Sequence, residues 1–256
     1  MKTNRVTKYL FKKQFQYLLM AYAIFFIVNT VWPLLLALGS GTLRYYSLSN
    51  ELGNTSYFFF VTTFAIAYLS SATYENYKFL IQNGISRNTF FRGQIQTTGL
   101  LILIGSLVNE IDYWLIIVPI KGQDSIYTSL YRYFISNQIF NGLFETVLRI
   151  LTSTAVIVSL MAFGSILSLL SKRAQRITLI AIPIILVVGA VFMIRLFITT
   201  HLQVTWLEDV FTFIIGYSKE AGRFNPIPLV VTEVLWSGFM LFITKIFFNK
   251  KQLKRE

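Results

Sequence analysis

Apolar residues in this chain fall in long uninterrupted runs, not in the alternating pattern of a half-buried strand or the one-sided stripe of a surface helix. Residues 17–38 carry no charged side chain, and neither do residues 52–74. A third run is free of charge from Gly93 to Asn109 and continues through Glu110, Asp112, Tyr113 and Trp114 to Pro119. A fourth is clean from Ile150 to Ser171. A fifth extends from Ile177 to about Thr199 with Arg195 near its end, and a sixth from Pro226 to Phe248 contains Glu233. A helix needs roughly 20 apolar residues, at about 1.5 Å each, to cross the ~30 Å hydrocarbon core of a bilayer. The pattern predicts an all-α polytopic membrane fold, one domain over residues 1–256, with six spans at about 17–38, 55–73, 93–119, 145–171, 177–199 and 226–248.

The polar breaks between the runs set the orientation. Lys2, Arg5, Lys8, Lys12 and Lys13 precede the first span; Lys78, Arg87 and Arg92 lie between the second and third. Lys172, Arg173 and Arg176 lie between the fourth and fifth, and Lys245, Lys250, Lys251, Lys254 and Arg255 close the chain. These are 16 of the 23 basic residues, all in segments that six spans place on one side. The excess of Lys and Arg on cytoplasmic loops then puts both termini in the cytosol. The first run is too long for the 7–15-residue core of a cleaved signal peptide and reads as a retained span.

Composition narrows the class further. The chain is 55% hydrophobic and 13% charged, with a mean hydropathy of +0.60, whereas soluble domains carry about 25% charged residues. The absence of cysteine excludes a disulfide framework, thiolate chemistry and cysteine zinc sites. A net charge of +12 suggests nucleic acid at first sight. That function needs the cations gathered on one face of a folded domain, and here they flank apolar runs, so no nucleic acid partner is expected.

Two segments are unusual for connections. Residues 3–15 form an amphipathic helix, with Arg5, Lys8 and Lys12 on one face and Val6, Leu10 and Phe11 on the other, suited to lying in the membrane interface. Residues 74–93 (YENYKFLIQNGISRNTFFRG) are too long and too apolar for an inert loop. Asn83-Gly84 signals a helix stop, and Ser86 is a natural N-cap for the helix that becomes span three. The expected form is a helix, a tight break and a second helix, whose apolar residues either enter a groove on another protein or rest on lipid.

Glu75, then Phe79-Leu80, then Gly84-Ile85-Ser86-Arg87 with Phe90-Phe91 beyond, resembles the coupling region of type-2 ATP-binding-cassette (ABC) transporter permeases. Six spans, an amphipathic N-terminal elbow helix and cytosolic termini are similar too. The chain departs from the family pattern at Arg92-Gly93-Gln94, where a lysine is often seen. The resemblance implies a permease subunit of an exporter in a bacterial cytoplasmic membrane, paired with a second permease subunit, identical or not. Separate cytosolic ABC ATPase subunits, holding ATP and Mg, would dock through Glu75, Phe79, Leu80, Gly84, Ile85, Ser86 and Arg87. It also implies that the apolar stretch within His201–Pro226 re-enters the outer leaflet, where only sheltered backbone is tolerated.

The chain carries no chemistry of its own that the sequence reveals. It has no phosphate-cradling Gly-x-x-x-x-Gly-Lys-[Ser/Thr] loop, so ATP hydrolysis belongs to a partner and no cofactor is expected in this chain. One histidine, His201, cannot hold a zinc ion, and Ser40, in a turn between Gly39 and Gly41, has no histidine expected nearby to serve as its base. The remaining signal is charge inside spans, which costs ~2.5–3.5 kcal/mol per residue at a helix centre and so marks pairing or a polar pathway. Glu145 and Arg149, at i and i+4, are expected to neutralise each other. Glu233, roughly 10 Å into its span, has Arg195 as a candidate partner. Glu110 and Asp112 mark the outer end of span three, with Trp114 as an interfacial anchor. Glu110, Asp112, Glu145, Arg149, Arg195 and Glu233 are together the candidate cargo pathway, suited to a cationic or amphipathic molecule such as a peptide, a drug or a lipid-like compound. Two other functions fit the same residues: a proton-coupled carrier using Glu110, Asp112 or Glu233 as relay, and a membrane immunity or sensor protein that binds without transport.

Overall fold

The computed structural model describes residues 2–47, 58–71, 73–121, 126–131, 134–200, 205–218 and 223–250. Residues 55–57 and 72 of the second predicted span lie outside these, as do Arg132, His201, Lys219, Lys251, Lys254 and Arg255. The described chain is almost entirely helical. Its helices are α1 (Lys2–Phe26), α2 (Trp32–Gly39), α3 (Phe58–Ser71), α4 (Tyr74–Gln82), α5 (Arg87–Asp112), α6 (Val118–Lys121), α7 (Ile126–Tyr131), α8 (Gln138–Leu167), α9 (Lys172–Thr200), α10 (Thr205–Ile215) and α11 (Ile227–Asn249). Five stretches are long and apolar enough to cross a membrane: Thr3–Gly39, Arg87–Ile120, Ile139–Leu167, Lys172–Phe192 and Ile227–Asn249. The protein has the make-up of a multi-pass helical membrane protein. Of the second predicted span α3 and Thr73 are described, and the 14 residues of α3 reach about 21 Å, short of the bilayer core.

The amphipathic N-terminal segment does not form a separate elbow. It runs without a break into the first span, because neither glycine nor proline interrupts residues 3–32 and its buried stripe of Val6, Leu10, Gln14 and Leu18 continues at i+4 spacing. Its apolar side packs against protein rather than standing in the interface.

Prolines account for the irregular turns within the spans. Pro33 and Pro119 each lack the N–H that would close the preceding turn. In both places the chain widens into one π-helical turn just upstream, Ile27–Val31 before Pro33 and Tyr113–Ile117 before Pro119. Pro183 sits inside α9.

Lipid tails are as apolar as leucine, so helices in a bilayer associate through close packing and interhelical hydrogen bonds. Here α5 lies along α1 and α3, while α8 packs between α3 and α11. Gln14 Nε2 on α1 donates to Gln94 Oε1 on α5 at 3.1 Å, wholly buried. Ser70 meets Thr98 at 2.9 Å, and Thr62 donates to Asn109 Oδ1 at 2.9 Å, tying α3 to α5. Ser71 donates to the Leu160 carbonyl and Trp236 Nε1 to Ser159 Oγ, tying α8 to α3 and α11. At Gly93 the helices approach so closely that a Cβ would stand 2.7 Å from Val6 Cγ1.

α9 differs from the others: none of residues 172–192 is buried, although the stretch is strongly apolar. Beyond it, the segment expected to re-enter the membrane contains α10, whose 11 residues span about 16 Å, too short to cross. It turns at Gly216 into a two-stranded antiparallel hairpin, Tyr217–Ser218 against Arg223–Phe224, before α11 begins. These four residues are the strand content of the described chain.

Candidate functional site

Two polar regions stand at opposite ends of the bundle. At the basic end, α4 closes at the predicted turn. The Gly84 N–H bonds to the Ile81 carbonyl and the Ile85 N–H to the Leu80 carbonyl, both at 3.0 Å, the paired bonds of a Schellman motif. Gly84 adopts φ +77°, which its missing Cβ permits. Ser86 then caps α5, its Oγ accepting from the Thr89 N–H at 3.2 Å.

The aromatic residues of this corner are largely used internally, where a partner groove or lipid was expected to receive them. Phe90 and Phe91 are buried with Tyr77 and Leu80 against Val6 and Leu10 of α1, Met161 of α8 and Phe248 of α11. Phe90 and Phe248 stack at 5.5 Å, and Tyr77 meets both edge-on at 5.5 Å. Burial pushes the Tyr77 hydroxyl above its ordinary pKa, against the opposing pull of Arg87. The physical reason is convergence: α4 and the ends of α1, α5 and α11 meet here and pack their apolar side chains against one another. Glu75, Phe79, Gly84, Ser86 and Arg87 remain exposed, Ile85 is half-buried, and Phe79 stacks on Tyr9 at 5.8 Å. Arg87 Nη1 donates to the Asn249 carbonyl at 2.9 Å and so fastens the corner to the end of α11. A groove of about 370 Å³, lined by Arg5, Val6, Tyr9, Leu80, Asn83, Gly84 and Ile85, opens beside it.

At the other end the span charges meet, with different partners from those expected. Arg149 on α8 is held not by Glu145 but by Glu110 on α5, through Nε to Oε1 at 2.8 Å and Nη2 to Oε2 at 2.7 Å. Thr146 adds a bond to Glu110 Oε2 at 3.0 Å, and the guanidinium lies over the Tyr113 ring at 4.3 Å. The i, i+4 spacing leaves Glu145 on the same side of α8, where it takes a hydrogen bond from Asn141 at 2.8 Å. The bidentate geometry available across the helix interface prevails over the local spacing. Glu233 accepts a hydrogen bond from Thr152 of α8 at 2.6 Å, a partner the sequence did not suggest, and Arg195 is exposed on α9. Thr152 in turn accepts from the Tyr127 hydroxyl of α7 at 2.8 Å. Among the described residues, the second carboxylate oxygen of Glu233 is buried without a hydrogen-bond partner, as is Arg149 Nη1. Asp112 is half-buried and stands outside these bonds.

Sequence reasoning missed Thr146, Thr152, Tyr113 and Tyr127, which are neutral and carry no spacing signal. Among the described residues no group of His, Cys, Asp and Glu could hold a metal ion. The chain matches no family model, and no curated protein or solved structure matches it.

Proposed function

We propose that this chain is the permease subunit of an ATP-driven ABC exporter in a bacterial cytoplasmic membrane. In this reading residues 55–73 complete a sixth span, both termini face the cytosol, and α10 with its hairpin dips into the outer leaflet. A cytosolic ATPase subunit carrying ATP and Mg seats α4 and the turn after it, and a second permease subunit completes the pathway. The cargo is hydrophobic or amphipathic: a peptide such as a bacteriocin, a drug or a lipid-like compound.

One observation carries the reading. The helix–turn–helix corner at the basic end presents Glu75, Phe79, Ser86 and Arg87 outward while its back packs against α1, α8 and α11. A push on that corner would be delivered to three long helices, one of which carries Glu233 at its far end. Affinity purification of the tagged full-length chain tests it: a soluble ATPase should co-purify, and Phe79→Glu should abolish that association without lowering thermal stability. Recovery of the chain alone under every mild-detergent condition would remove the proposal.

A second reading rests on Glu233. A buried carboxylate oxygen without a hydrogen-bond partner among the described residues suits a proton-coupled carrier. Such a carrier would concentrate cargo in vesicles given only a pH gradient, whereas the exporter requires ATP and its partner.

A further inference from the structure

Between α1 and α3, at the basic end, lies a slot of about 640 Å³. Its walls are apolar: Tyr17, Met20 and Ile24 from α1 face Ala65, Tyr68 and Leu69 from α3. Most of these side chains are exposed, so the slot opens sideways toward lipid. Its mouth is polar. Lys13 comes from α1, and Glu75 and Asn76 come from the first turn of α4. Lys13 Nζ donates to Asn76 Oδ1 at 2.9 Å, which holds the ammonium at the rim. Among the described residues no ion pair joins Lys13 to Glu75. Two opposite charges therefore stand at one mouth with capacity left for a ligand.

The dimensions match one leaflet. Lys13 and Ile24 are 11 residues apart on one continuous helix, about 16 Å at 1.5 Å per residue. Half of the hydrocarbon core is roughly 15 Å. A second cavity of about 470 Å³, on the other side of α3 against α8 and α9, has comparable apolar walls but no charged residue in its lining. It offers nothing to a head group.

We infer that the slot between α1 and α3 is a binding site for a zwitterionic phospholipid with a primary ammonium head, its phosphate on Lys13, its ammonium on Glu75 and one acyl chain along the apolar walls. An anionic phospholipid would use Lys13 but place negative charge beside Glu75. A site of this kind requires only that the chain sits in a bilayer with this end in the leaflet concerned; it does not depend on an ATPase partner. It does give Glu75 a role distinct from docking.

Native mass spectrometry of the full-length chain tests the site, after equilibration with equal amounts of phosphatidylethanolamine and phosphatidylglycerol. The wild type should retain phosphatidylethanolamine preferentially. Glu75→Gln should erase that preference, and Lys13→Ala should lower retention of both lipids roughly fivefold, as expected for one head-group charge contact. Ala65→Trp, which fills the slot, should lose the bound lipid, while Val187→Trp on the exposed face of α9 should not. Equal retention of both lipids by the wild type, or undiminished selectivity in Glu75→Gln, overturns the assignment. Because Glu75→Gln is an exposed, conservative change, it decides the matter even if Ala65→Trp fails to fold. None of these readouts involves ATP, so their failure leaves the transport reading standing, and failure of that reading leaves the site standing.

Discussion

Arg149 grips Glu110 with two parallel hydrogen bonds, at 2.8 and 2.7 Å, and thereby joins α8 to the far end of α5. Removing one partner of a buried pair leaves the other charge stranded, at about 3–5 kcal/mol. The side chains here keep 12% and 16% exposure, which places Arg149→Ala toward the lower end of that range. The double variant Glu110→Leu/Arg149→Met should recover most of the loss, since a well-packed apolar pair often replaces an ion pair without cost. Thermal unfolding in detergent, followed by size-exclusion chromatography, measures both.

The approach of α1 to α5 rests on Gly93. With Val6 Cγ1 2.7 Å from the position of a Cβ, Gly93→Ala overpacks the contact and should cost about 1–3 kcal/mol. Val6→Ala in the same chain should relieve it, a coupling that thermal unfolding of the four members of the cycle reads directly.

The corner after α4 depends on two backbone devices. Ser86→Ala should destabilise the start of α5 by about 1 kcal/mol through loss of its cap. Gly84→Ala should cost about 1–2 kcal/mol by forcing a side chain into the left-handed region. Hydrogen exchange should speed up at residues 80–90 in both variants and stay unchanged in α8.

Much of the fold was legible in the sequence because apolar run length is a direct consequence of bilayer thickness. The Asn83-Gly84 stop and the Ser86 cap were legible because both are local backbone chemistry. Partners across helices were not. Glu145 and Arg149 have ideal spacing on one helix, yet Glu110 offers Arg149 a fork-to-carboxylate geometry that no spacing rule encodes. For the same reason Phe90 and Phe91, at the start of the second helix, read as available to a partner groove or to lipid, while the structure folds them under Phe248, 157 residues beyond Phe91. The elbow was expected from an amphipathic pattern that continues, unbroken, into the span behind it.

Glu233 bears on cargo. Its bond from Thr152 uses one carboxylate oxygen and leaves the other buried with no hydrogen-bond partner among the described residues. If that oxygen receives the cationic group of a cargo, Glu233→Gln should lower export of a lipophilic cationic dye about tenfold, the equivalent of ~1.4 kcal/mol. Export of an uncharged dye of similar size should be unaffected. Equal loss for both dyes would assign Glu233 to the fold instead.

The absence of cysteine from the chain permits a direct test of the central proposal, because one introduced thiol is a unique label. Asn83→Cys places it in the exposed turn between α4 and α5. In intact cells a membrane-impermeant maleimide should fail to modify it, and should do so once the cytoplasmic face is opened. In inside-out membranes the reaction should be suppressed when the ATPase subunit is bound and restored when it is stripped. Modification from outside intact cells, or equal reaction with and without the ATPase, contradicts the account.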